Sequence, residues 1–115
     1  GIKGLSELAG KNVTLTTQLG TGWVNLLDQV PDATLGANYE TTAECFMAIS
    51  NGTADVCVID APTAESAAMT NDDLAIIYLD DNDKFVGDEE MQMVLHGVIQ
   101  QDWQQPLPLP ERKHG

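Results

Sequence analysis

Short apolar runs and breaker residues alternate through the first 87 positions. Residues 12–17 are rich in β-branched side chains and predict a strand, preceded by a short helical turn over 5–9 that Gly10 closes. Gln18, Leu19, Gly20, Thr21 and Gly22 interrupt the pattern. Apolar residues at 23, 24, 26, 27 and 30 then keep helical spacing until Pro31. A weaker strand is expected over 33–39. Thr41 and Glu44 form a capping-box pair ahead of a helix over Thr42–Ser50, which Asn51 and Gly52 close. Ala43, Phe46, Met47 and Ile49 are expected to face inward on that helix. The run Val56, Cys57, Val58 and Ile59 reads as a strand buried on both faces, ending at Asp60. Pro62 suits the first turn of a helix over 62–69, and after a turn at 71–73 another apolar strand covers 74–79.

The order is βαβαβαβ with short connections. It predicts an α/β fold of three layers, a mostly parallel sheet with helices on both faces. No repeat with a period of 20 to 50 residues is present. The acidic stretch 80–90 reads as a solvated linker, since it lacks the alternation and glycine of a calcium loop. Residues 91–103 allow two readings. Met91, Val94, Leu95, Val98 and Ile99 keep helical spacing, but Gly97 interrupts it, and a strand over 91–95 is the alternative. The proline-rich run Pro106 to Pro110 and the polar end after it are expected to be a partly disordered tail.

Composition narrows the function. The 115 residues suffice for one domain, and 43% are apolar. A net charge of −13 argues against nucleic acid and anionic membrane surfaces as partners. No stretch approaches the ~20 apolar residues of a bilayer span, and no signal peptide is read at the start of this sequence. Cys45 and Cys57 read as buried thiols, with a disulfide as the alternative. His96 and His114 have no second ligand at metal spacing, so no metal site is expected. No cofactor motif is complete. Asn25 stands where a dinucleotide loop would place its third glycine, and no Gly-Lys-Ser/Thr triplet comes after it.

Two places could do chemistry, both beyond the carboxyl ends of predicted strands, where open α/β sheets bind ligands. In the first, Gly20 and Gly22 let a ligand approach the backbone and Thr21 offers a hydroxyl. The start of the next helix favours an anion. The alternative is a tight turn whose glycines serve only the backbone angles. The second is Asp60, which could pair with an ammonium group or merely cap the next helix. Together, an anion cradle and a fixed carboxylate complement a zwitterion such as an α-amino acid.

At these residues the chain resembles the family 3 extracellular solute-binding proteins, the receptors of polar amino-acid ABC importers. The resemblance rests on residues 8–11, 13–17, 18–21, 42–44, 51–52, 54–60 and Pro62, and it extends over about 4–79. It implies a two-lobed, type II periplasmic-binding-protein fold of which this chain is the second lobe. Residues 1–87 would form the ligand-binding lobe and 88–115 a return segment with its proline-rich tail. It further implies that Gly20, Thr21 and the Gly22 amide, with Gln18 beside them, hold the ligand α-carboxylate, and that Asp60 holds the α-ammonium. Gly22 stands where many members carry a second hydroxyl. The implied partners are an α-amino acid, the missing first lobe and the permease subunits, with no cofactor and no catalysis. The implied location is extracytoplasmic, periplasmic or as a surface lipoprotein. Apolar surface that the first lobe would cover is expected to favour self-association. The alternatives are a sensing lobe of a receptor or sensor kinase, and a cyclohexadienyl-dehydratase-like enzyme, for which Asp60 is the only candidate acid. A receiver domain fits poorly, because no acidic pair ends the first strand.

Overall fold

The computed structural model describes residues 2–88 and 90–104, with only the backbone of Gln104. The expected proline-rich tail and His114 lie outside the described residues. Five strands form one sheet: β1 (Thr14–Thr16), β2 (Thr34–Leu35), β3 (Val56–Asp60), β4 (Leu74–Ile77) and β5 (Met91–His96). The helices are α1 (Thr42–Ser50), α2 (Ala61–Thr70) and α3 (Gly97–Gln104), and two 3-10 helices cover Leu5–Leu8 and Gly22–Gln29. The segment from Trp23, expected as an α-helix, thus winds more tightly. Trp, Val and Asn in its first turn are mediocre α-helix formers.

The strand order is β2-β1-β3-β5-β4. β1 pairs in parallel with β2 and β3, whereas β5 runs antiparallel between β3 and β4. Four of the five strands therefore point the same way. β3 and β4 are not neighbours because the chain returns between them. Of the two readings of residues 91–103, the strand holds for the first part. Met91, Met93, Val94 and Leu95 are all fully buried, on both faces, which a helix cannot achieve against one layer. Gly97 then opens α3, its amide donating to the Asp73 carbonyl at 2.8 Å.

The alternation of β3 divides the core by face. Val56 and Val58 join Leu15, Leu27, Met93 and Phe85 under the 3-10 helices and α3. Cys57 and Ile59 join Cys45, Ile49, Ala64 and Val94 under α1 and α2. Helices thus cover both faces. The inward face of α1 differs from expectation: Cys45, Ala48 and Ile49 are buried while Met47 is 64% exposed. The helical period is right but its phase is rotated by about one residue, because small side chains let α1 settle close to the sheet.

Cys45 and Cys57 are free and fully buried. The hydrogen bond that the Cys57 thiol donates to Cys45, together with burial, pushes Cys57 well above its usual range. The acidic stretch 80–90 is more than a linker. Phe85 sits fully buried in the core, and the Asp83 carboxylate accepts from the Ser6 amide at 3.1 and 3.2 Å. Both are contacts to residues distant in sequence, invisible to composition.

Candidate functional site at the carboxyl edge of the sheet

Beyond Thr16 the chain is pinned on two sides. The buried Thr17 hydroxyl donates to the Val58 carbonyl of β3 at 2.6 Å, and the Thr17 amide donates to Asn38 Oδ1 at 3.0 Å. The register Thr16↔Cys57 therefore continues one residue past β1. Asp60 stands only two residues further along β3, on a strand roughly 4.8 Å away. Register thus sets the turn after β1 and Asp60 side by side on one edge.

The turn itself spans 18–21, with Gly20 at φ +77°, the left-handed geometry that a type II turn demands of its third residue. Leu19 donates its amide to the Tyr39 carbonyl at 2.6 Å. Thr21 caps the 3-10 helix: its Oγ1 accepts from the Trp23 amide at 3.3 Å and donates to the Gln18 carbonyl at 2.8 Å. The Thr21 hydroxyl is thus already engaged in both senses. Among the described residues, the amides of Gly20 and Gly22 donate to no protein acceptor. These amides, backed by the helix start, form the anion-attracting part of the turn.

Gln18 is turned elsewhere. Its Nε2 donates to the Glu40 carbonyl at 3.1 Å, on the β2 side of β1. β3 lies on the other side, so the Gln18 side chain and Asp60 are not brought together.

Asp60 caps α2, where its Oδ2 accepts from the Thr63 amide at 3.3 Å and the Thr63 hydroxyl at 3.0 Å. Among the described residues its Oδ1 accepts nothing, and the residue is half-buried. The capping alternatives for Thr21 and Asp60 are therefore both real, and among the described residues the Gly20 and Gly22 amides and Asp60 Oδ1 remain without a protein partner.

This edge has a further neighbour that no local sequence motif marks. Asp60 pairs with Met91, and the Ala61 amide donates to the Glu90 carbonyl at 2.8 Å, so the loop before β5 borders the same rim. A cleft of about 180 Å3 lies there, lined by Gly22, Trp23, Leu26, Gly87 and Asp88. The apolar–acidic boundary at Asp88 was the available signal, but a helical reading of residues 91–103 conceals it. A larger cavity of about 440 Å3 lies between α1 and α2, reaching Ser50, Thr70 and Leu74. Those residues mark the opposite edge of the sheet, away from the carboxyl ends where α/β sheets bind ligands.

Among the described residues, no group of three or more His, Cys, Asp or Glu could hold a metal ion. Among them, too, no helix is long and apolar enough to cross a membrane.

No protein-family model and no curated protein matches the chain. Among solved structures, it is similar to the substrate-binding protein of an amino acid ABC transporter, with a TM-score of 0.61 and 19% sequence identity. The match covers 87% of this chain and 42% of that one, so this chain spans less than half the length of the solved protein. The likeness establishes the fold, a mixed α/β unit of the periplasmic-binding-protein kind.

Proposed function

We propose that this chain is the second, ligand-contacting lobe of an extracytoplasmic solute-binding protein that captures an α-amino acid and delivers it to an ABC permease. The family 3 receptors of polar amino acids are the group it fits. Residues 1–87 form the binding lobe. Residues 88–115 contain the segment returning towards the first lobe, with β5 as its part within this sheet. The amides of Gly20 and Gly22 receive the ligand α-carboxylate, Thr21 shapes the turn that presents them, and Asp60 receives the α-ammonium. Binding is the output, without catalysis. A first lobe closes over the ligand, supplies the burial that an open edge lacks, and signals closure to the permease. Attachment at the cell surface as a lipoprotein suits this role, and the isolated lobe would self-associate through the surface that its partner lobe covers.

One observation carries the reading: amides of a helix start without a protein acceptor and a carboxylate oxygen without a donor, among the described residues, follow the ends of the adjacent strands β1 and β3, groups of the two polarities that a small zwitterion needs. The solved substrate-binding protein of the same fold supports it.

The test is calorimetry on the full-length two-lobed protein with a panel of L-amino acids. Asp60→Asn keeps a good helix cap but removes the charge. The expected result is a rise in Kd of about 30-fold or more, as for loss of one partner of a desolvated charge pair. Unchanged affinity in a folded Asp60→Asn variant would remove the site.

A further inference from the structure

The cleft beside the turn has a chemistry of its own. Its lining includes Gly22, whose amide is one of the two proposed carboxylate donors, and Asp88. Trp23 and Leu26, both half-buried, form its wall. Gly87, at φ +108°, has no side chain to fill it, and the Leu26 side chain lies 3.6 Å from where a Cβ would stand. Its volume, about 180 Å3, is several times the ~30 Å3 that one water takes in the liquid. An extended amino-acid side chain fits.

Charge decides which side chain. Asp88 Oδ1 accepts from the Glu90 amide at 3.1 Å, and among the described residues its Oδ2 accepts nothing. Among the described residues, no Lys, Arg or His lines the cleft. The one ion pair among them, Lys84 with Asp81, lies outside it. A neutral amino acid would answer Asp60 with its ammonium and leave Asp88 without a counter-charge. A ligand with two cations and one carboxylate matches two aspartates and one amide cradle. Trp23 suits such a cation as well, since aromatic faces attract ammonium and guanidinium groups.

We infer that the ligand is a basic α-amino acid, with its side-chain cation lying in this cleft against Asp88 and Trp23. The inference rests on the function proposed above. It makes Asp88 a specificity-determining residue, where composition alone had made the stretch 80–90 a linker.

The test uses the full-length protein and titrates L-lysine, L-arginine, L-glutamine, L-methionine and L-glutamate by calorimetry. Lysine or arginine should bind about tenfold or more tightly than the neutral ligands of similar length, the range expected for a charge-assisted hydrogen bond. Asp88→Asn, which keeps the acceptor for the Glu90 amide, should erase most of that preference and leave the thermal melt in place. A wild-type preference for glutamine, methionine or glutamate overturns the inference, whatever the variant does. An unchanged lysine-to-glutamine ratio in folded Asp88→Asn overturns it too. In either case, loss of binding in Asp60→Asn would show that the α-amino-acid site itself stands. Binding of none of the five ligands would remove both readings together.

Discussion

The ends of β1 and β3 solve the same local problem in different ways. Each strand leads into a helix, β3 directly and β1 through the turn 18–21, and each helix start needs a cap. After β1 the cap is a neutral hydroxyl: Thr21 spends its proton on the Gln18 carbonyl and its oxygen on the Trp23 amide. What remains open there is backbone N–H. After β3 the cap is a carboxylate, and Asp60 caps with Oδ2 while Oδ1 stays unengaged. What remains open there is a charged acceptor. Two capping residues of the ordinary kind therefore leave residual polarity of opposite sign on neighbouring strands. The lesson is that a cap and a binding group are not exclusive assignments, because a carboxylate has more lone pairs than a cap needs.

Variants at these two ends separate the roles. The largest effect is expected at Asp60. Asp60→Ala and Asp60→Asn should weaken amino-acid binding alike, but only Asp60→Ala should also lower stability, by ~1 kcal/mol through the lost cap. Equal melting temperatures with unequal affinities would break the comparison. Next comes Gly20→Ala, which forces a side chain into the left-handed region at a cost of about 1 kcal/mol. It should also re-aim the amides and raise Kd, whereas a loss confined to stability would show that the glycine serves only the turn. Thr21 should behave in the converse manner. Thr21→Ala is expected to cost ~1 kcal/mol of stability with affinity largely kept, and Thr21→Ser to restore the stability in a thermal melt.

The smallest effect lies beyond the site, at Tyr78. Its hydroxyl donates to Glu65 Oε2 at 2.7 Å, and that hydrogen bond, with some burial, raises the phenol above its usual value of 10.0. The folded protein thus favours the protonated phenol. The associated stability is complete below about pH 10 and is lost as pH rises through the elevated value. Half exposure makes the gain small. Tyr78→Phe should leave the neutral melt nearly unchanged and flatten the alkaline decline in denaturant titrations.

The elements legible in the sequence are those fixed by adjacent residues. The capping box of Thr41 and Glu44 is present in the structure, with the Glu44 amide 3.2 Å from Thr41 Oγ1, and α1 has the expected bounds. Val56 to Ile59 are all fully buried, and Pro62 lies in the first turn of α2. The elements that escaped depend on distant partners. β5 carries apolar residues at helical as well as strand spacing, and only β3 and β4 on either side decide between them. The phase of α1 depends on where Cys45 and Ala48 find room. Asp83 and Phe85 look like parts of a charged linker until Ser6 and the far core receive them. The candidate site divides in the same way. Gly20, Thr21 and Asp60 were visible as strand-end residues, whereas the orientation of Gln18 and the cleft at Asp88 required the sheet order.

The most direct test of the paired strand ends is amide NMR of the full-length protein during an L-amino-acid titration. The largest downfield amide shifts are expected at Gly20 and Gly22, accompanied by a change at the Asp60 side-chain carboxyl. Shifts that leave both glycines unmoved and gather instead in the groove between α1 and α2, around Phe46 and Leu74, would overturn the paired-end site.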